Sequence, residues 1–118
     1  IVLGQRTYNE VTDFACVELD RIQVKGKTVP VDIFCVLGDA ERAATPEFQA
    51  MAKVNAEMIA AYRSKDWATT KQKIVEGEAA DKDNELGVLR GIYTERTEAY
   101  EENPPADDWD GAFIATSK

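Results

Sequence analysis

The hydrophobic period of this chain changes once, near residue 39, and that change limits its architecture more than any other feature. Before it, Val31, Ile33, Cys35 and Leu37 alternate with Asp32, Phe34 and Val36, the period-two pattern of a strand. Upstream, Val17 and Leu19 share one phase while Ile22 and Val24 share the other. The slip at Asp20-Arg21 predicts a bulge or a break between two short strands. Lys25-Gly26-Lys27-Thr28-Val29-Pro30 separates the two strand patterns and reads as a hairpin turn, with Pro30 confined to the start or edge of the next strand. Ile1-Val2-Leu3-Gly4 reads as the end of a buried strand and, lacking an initiator Met, as part of a longer protein.

From Asp39 onward the period is helical. Thr45-Pro46-Glu47 supplies a cap, a proline for the first helical position and an acid for the positive helix end. Phe48, Met51, Ala52, Met58, Ile59 and Tyr62 follow on one face. Asp66 is expected to cap a second helix that buries Trp67, Ile74 and Val75. Asn84 is expected to cap a third, with one stripe of Leu86, Leu89, Tyr93 and Tyr100 and another of Val88, Ile92 and Ala99. Asn103-Pro104-Pro105 ends it. The fold class expected is α+β: strands over 1–38, then a three-helix segment over 39–118 with a packed tail in which Trp109 and Phe113 are buried.

Charge divides at the same point. Residues 1–38 carry 4 basic and 5 acidic side chains, and residues 39–118 carry 10 and 17, for a net −8 over 118 residues. An acidic surface repels nucleic acid and anionic lipid, so neither is expected as a partner. No apolar run reaches the roughly 20 residues of a membrane helix, and no basic leader opens the chain; a cytoplasmic location is expected. The chain has no His, which removes the commonest general base and metal ligand. Cys16 and Cys35 are read as reduced thiols without a basic neighbour to activate them. The acids Asp81, Asp83 and Glu85, and Asp107, Asp108 and Asp110, lack the spacing of a calcium loop and are read as solvated. Met51 and Met58 are core fillers.

Glu18 to Phe34, with Lys25-Gly26-Lys27 between its strands, resembles the last hairpin of a class III nucleotidyl cyclase catalytic domain. Gly4-Gln5-Arg6-Thr7-Tyr8-Asn9-Glu10-Val11 is similar to the helix that precedes that hairpin. The helices with Pro104-Pro105 and Asp108-Trp109-Asp110-Gly111 look like the C-terminal extension of many bacterial members. The resemblance implies that residues 1–38 close a cyclase catalytic domain and 39–118 form the extension. It implies conversion of ATP or GTP to a cyclic 3′,5′-nucleotide and pyrophosphate, with Mg2+ or Mn2+, at the interface of a homodimer. The family's metal-binding aspartates, base-recognising residues and transition-state Asn and Arg lie upstream of the hairpin, so this chain alone is expected to be inactive, with no catalytic or metal-binding residue of its own. One site residue carries over: Lys25, on the nucleotide triphosphate. Lys27 is read as a solvated turn lysine.

Tyr62-Arg63-Ser64-Lys65-Asp66-Trp67 also resembles the turn of a tetratricopeptide unit, although Thr70 and Gly77 occupy the small-residue positions and Lys82 replaces the closing proline. One such unit is too few for a superhelical groove, so a small helical cap is expected. The rival reading is a non-catalytic helical protein-interaction module standing on a β-hairpin.

Overall fold

The long strands precede the long helices as the periodicity predicts, while a short helix interrupts the strands and a last short strand follows the helices. The computed structural model describes residues 2–11, 13–24 and 29–115 and is α+β, with β1 (Val2–Gly4), α1 (Gln5–Glu10), β2 (Ala15–Val24), β3 (Val31–Gly38), α2 (Ala40–Ala43), α3 (Pro46–Arg63), α4 (Trp67–Ala80), α5 (Gly87–Glu102) and β4 (Phe113–Ala115). Two compact units result: residues 1–49 with 111–118, and residues 50–110.

The first unit is built on one sheet of order β1-β3-β2-β4. β2 and β3 pair antiparallel, from Ala15↔Gly38 to Ile22↔Val31. The register slips between Glu18 and Asp20, leaving Leu19 as the extra residue, one position from the phase break in the sequence. A second slip, between Ala15 and Cys16, leaves Leu37 extra on β3. β1 adds antiparallel to β3, and β4 adds parallel to β2 through Ile22↔Phe113. Phe34 is the buried residue of β3, and α1 lays Tyr8 flat on it, with ring centroids 4.0 Å apart and planes 8° from parallel. Val31, on the opposite phase, is exposed.

The second unit packs α4 and α5 with most of α3 around Met58, Ile59, Tyr62, Ile74 and Tyr93. Tyr62 has no exposed surface and is ringed by Trp67, Tyr93, Tyr100 and Trp109 at centroid distances of 4.8–6.0 Å. The helix starts follow the capping rules. Thr45 Oγ1 accepts from Phe48 N at 3.3 Å ahead of Pro46, and the Asp66 carboxylate accepts from Thr69 N at 3.2 Å. The end of α3 is a Schellman motif, with Asp66 N donating to Ala61 O and Lys65 N to Tyr62 O. Lys65 occupies its left-handed position, at φ 65°.

Three expectations are corrected. Asn84 does not cap the third helix: it sits at φ 55° in the preceding loop, and α5 starts at Gly87. Val75 is exposed rather than buried, because α4 turns Ile74 inward instead, and of the two stripes of α5 the one with Val88 and Ile92 is exposed while Tyr93 and Thr97 face inward. The tail divides at Gly111, whose φ of 91° suits glycine alone. Trp109 packs on the aromatic cluster of the helical unit, whereas Phe113 joins the sheet edge and stays 36% exposed.

Candidate functional site

The sequence places its one site residue, Lys25, in the connection of the β2–β3 hairpin. Lys25 to Thr28 lie outside the described residues, and so does the Lys27 to which Lys25 is compared. What is described is the frame that leads to them. Both strands are paired up to Ile22↔Val31, and Gln23 and Val24 are paired on the other side with Ile114 and Ala115. The last turns of this frame carry their own charges. Arg21 Nε donates to Asp32 Oδ1 at 2.7 Å across the strand pair, and the Asp20 carboxylate, itself buried, accepts from Arg21 N at 2.9 Å. Arg21 is thus committed within the sheet and is not a cation offered to an anionic ligand.

The two cysteines stand on neighbouring strands, Cys16 opposite Val36 and Cys35 opposite Val17. Directly opposed residues share a face, so this register puts the two thiols on opposite faces. Both are free thiols. Burial, then the neighbouring Cys35 and Asp13, push the Cys16 thiol above its ordinary value, which keeps it protonated and unreactive near neutrality.

The most developed polar arrangement lies in the helical unit and was not anticipated. Asp81, read from the sequence as a solvated acid, is 4% exposed. Its carboxylate accepts from Glu85 N at 2.9 Å, Leu86 N at 2.7 Å and Arg90 Nη1 at 3.0 Å. Arg90 Nη2 donates to Asn84 Oδ1 at 3.1 Å. Burial alone would raise the Asp81 carboxyl, but the two backbone donors and the Arg90 guanidinium outweigh it and hold the group below the usual carboxylate value. Asp81, at the C-terminal end of α4, thus ties down the loop that leads into α5, whose own N-cap, Leu86, has no side-chain bond. Arg90 Nε has no protein partner among the described residues, and Arg90 borders a cavity of about 10 Å³ with Asn55, Lys73 and Gly77, the room of about one water. A signal for this arrangement exists in the sequence: Leu86, Arg90, Tyr93 and Thr97 share one helical stripe, and an arginine at a core position requires an acid.

Asp81, Asp83 and Glu85 do not converge on a cation. Among the described residues no group of three or more His, Cys, Asp or Glu side chains could hold a metal ion. No helix among the described residues is long and apolar enough to cross a membrane. Comparison with family models, with curated proteins and with solved structures found no match to this chain.

Proposed function

We propose that this chain is the C-terminal part of a class III nucleotidyl cyclase, with its hairpin closing the catalytic domain and its helices forming an extension. The observation that carries the reading is the antiparallel pairing of β2 and β3 around Lys25-Gly26-Lys27-Thr28, with α1 just upstream and its Tyr8 stacked on β3. This is the strand–turn–strand order on which the resemblance rests. In this reading the intact protein converts ATP or GTP to the cyclic 3′,5′-nucleotide and pyrophosphate as a homodimer, with Mg2+ or Mn2+ held by carboxylates upstream of the hairpin. When bound, those metals supply charge at the reacting phosphate and the attacking hydroxyl.

This chain contributes one group, the Lys25 ammonium, against the triphosphate. Pyrophosphate departure builds negative charge, and a fixed cation beside it lowers the barrier. Gly26 has no Cβ to keep the backbone away from the phosphates. The tetratricopeptide-like character of the helical extension and a cytoplasmic location belong to the same proposal.

The test uses both the chain alone and the protein extended N-terminally. The 118-residue chain should form no cyclic nucleotide from ATP or GTP with either metal. In the extended protein, read for two Asp residues and an Asn-x-x-x-Arg step, Lys25→Ala should lower kcat/KM by about 10²-fold, and Lys27→Ala should change it little. Equal, small effects at both positions would make them solvated turn lysines and overturn the assignment.

A further inference from the structure

The outer face of α4 and α5 is out of keeping with a helix pair that has finished packing. Val88 is 82% exposed and Val75 65%, and Ile92 is exposed one turn beyond Val88. Isolated exposed apolar residues are ordinary, but Val88 lines an open groove of about 360 Å³ with Ile74 and Gly91, and with the polar Glu78, Arg90 and Thr94. Gly91 sharpens the anomaly. It stands inside α5, where glycine is the poorest helix former after proline, and a Cβ added to it would meet nothing within 4 Å. Packing within the chain gives no reason for glycine there, whereas an approaching backbone would.

Charge says what approaches. After Val88, Gly91 and Ile92, the exposed face of α5 continues with Glu95, Glu98 and Glu102. The cations nearby are already engaged: Arg90 lines the groove but its guanidinium is held by Asp81 and Asn84, Arg96 lies over the Tyr93 ring, 5.6 Å from its centroid, and Lys71 of α4 is paired with Glu101. The face thus runs from an apolar end to an acidic end over about 21 Å, given 1.5 Å per helical residue. A second copy of this chain, with its own net charge of −8, would meet like charge there.

We infer that the α4–α5 face is a docking surface for a basic amphipathic helix of a partner protein. Its apolar side chains enter the groove over Gly91, beside Val88 and Ile92, and its Lys or Arg side chains lie along Glu95, Glu98 and Glu102. The inference concerns the helical unit and does not rest on the cyclase reading, so cyclase assays neither support nor weaken it.

The probe is a fluorescein-labelled synthetic peptide of about 18 residues, roughly five helical turns, with Leu on one stripe and Lys on its flanks. Its control carries Glu for every Lys. Anisotropy with the full chain should show saturable binding of the Lys peptide alone, weakened severalfold or more near 1 M salt, where the Debye length is about 3 Å. Backbone amide shifts should map to residues 88–95. The double variant Val88→Asp, Ile92→Asp should lose on the order of tenfold in affinity. Gly91→Leu, which fills open space and is the better helix former, should lose binding while the melting temperature stays level or rises. Glu95→Lys with Glu98→Lys should favour the Glu peptide. Equal binding of the Lys peptide to wild type and to the Asp double variant would show charge attraction without a site and overturn the inference. A concentration-dependent dimer in sedimentation, abolished by Val88→Asp, would overturn it in favour of a second copy, and absence of any binding would overturn it outright.

Discussion

Each unit contains an aspartate–arginine pair, and the shorter of the two is the one expected to matter less. Arg21 and Asp32 meet at 2.7 Å on the sheet, with side chains 28% and 26% exposed. Arg90 and Asp81 meet at 3.0 Å in the helical unit, 6% and 1% exposed. Water screens the first pair and would solvate either partner if the other were removed. The second is enclosed, so removing one partner strands a charge in a poor solvent. Burial ranks the two pairs, and distance does not. The difference extends to what each pair organises: Arg21–Asp32 decorates strands already joined by backbone bonds, while Asp81 also holds the Glu85 and Leu86 amides of the loop before α5.

The largest expected effect follows directly. Asp81→Ala should destabilise the chain by about 3–5 kcal/mol, against about 0–1 kcal/mol for Asp32→Ala, measured as shifts in the urea midpoint at constant slope. Similar costs at both positions would break the ranking by burial.

The tail gives the next comparison, because its aromatic residues serve different units. Trp109 lies 5.2 Å from Tyr62 and from Tyr100 by ring centroids but keeps part of its surface in water. Trp109→Ala should therefore cost about 2–3 kcal/mol, below the roughly 3–5 kcal/mol of a fully buried tryptophan. Phe113→Ala should cost less than about 1 kcal/mol, since its strand is held chiefly by backbone pairing. Urea melts of both variants check this, and a larger loss at Phe113 would reverse the roles assigned to the two halves of the tail.

These positions also show where sequence reasoning reaches and where it stops. Thr45-Pro46 and Asp66 were legible because capping is local: a side chain meets an amide two or three residues away, and composition records it. The strand phase break was legible for the same reason. Periodicity was silent on which of two stripes of α5 faces inward, since Val88 and Ile92 repeat as regularly as Leu89 and Tyr93. That choice is made by α3, elsewhere in the chain. Asp81 was hidden among neighbouring acids, and what distinguishes it from Asp83 is its bonds to the Glu85 and Leu86 amides and to Arg90, nine residues on. For the candidate site, the strands that frame Lys25 were legible from their alternation, while the turn itself owes its functional reading to resemblance.

A pH titration separates the two units more gently than substitution. The Asp81 carboxyl is held below its ordinary value in the folded chain, so the unfolded chain binds this proton first as pH falls. The stabilisation from Asp81 is complete above the unfolded value, near 3.9, and is lost as pH drops through the lower folded value. The difference in urea midpoint between wild type and Asp81→Asn should be constant from neutrality to about pH 5 and should shrink below about pH 4. A difference that persists unchanged to the lowest pH at which the chain folds would mean that Asp81 stabilises through its shape and not its charge.

The smallest effect expected concerns a place where the helical unit departs from local rules. Lys65 holds the left-handed position that closes α3, at φ 65°, where glycine is the usual residue because its missing Cβ avoids the clash with the following carbonyl. Its Nζ donates to Ala106 O at 3.1 Å in an exposed setting, a bond that water competes for. Lys65→Gly removes backbone strain of about 1 kcal/mol but also that bond, and it loosens the unfolded chain. The balance should be a gain of no more than about 0.5–1 kcal/mol. Lys65→Ala keeps the strain while losing the bond, so it should be the less stable of the two. Thermal melts of both variants decide between backbone and side chain at this turn: Lys65→Gly falling below wild type and level with Lys65→Ala would show that the contact to Ala106, and not the φ angle, governs how α3 hands over to α4.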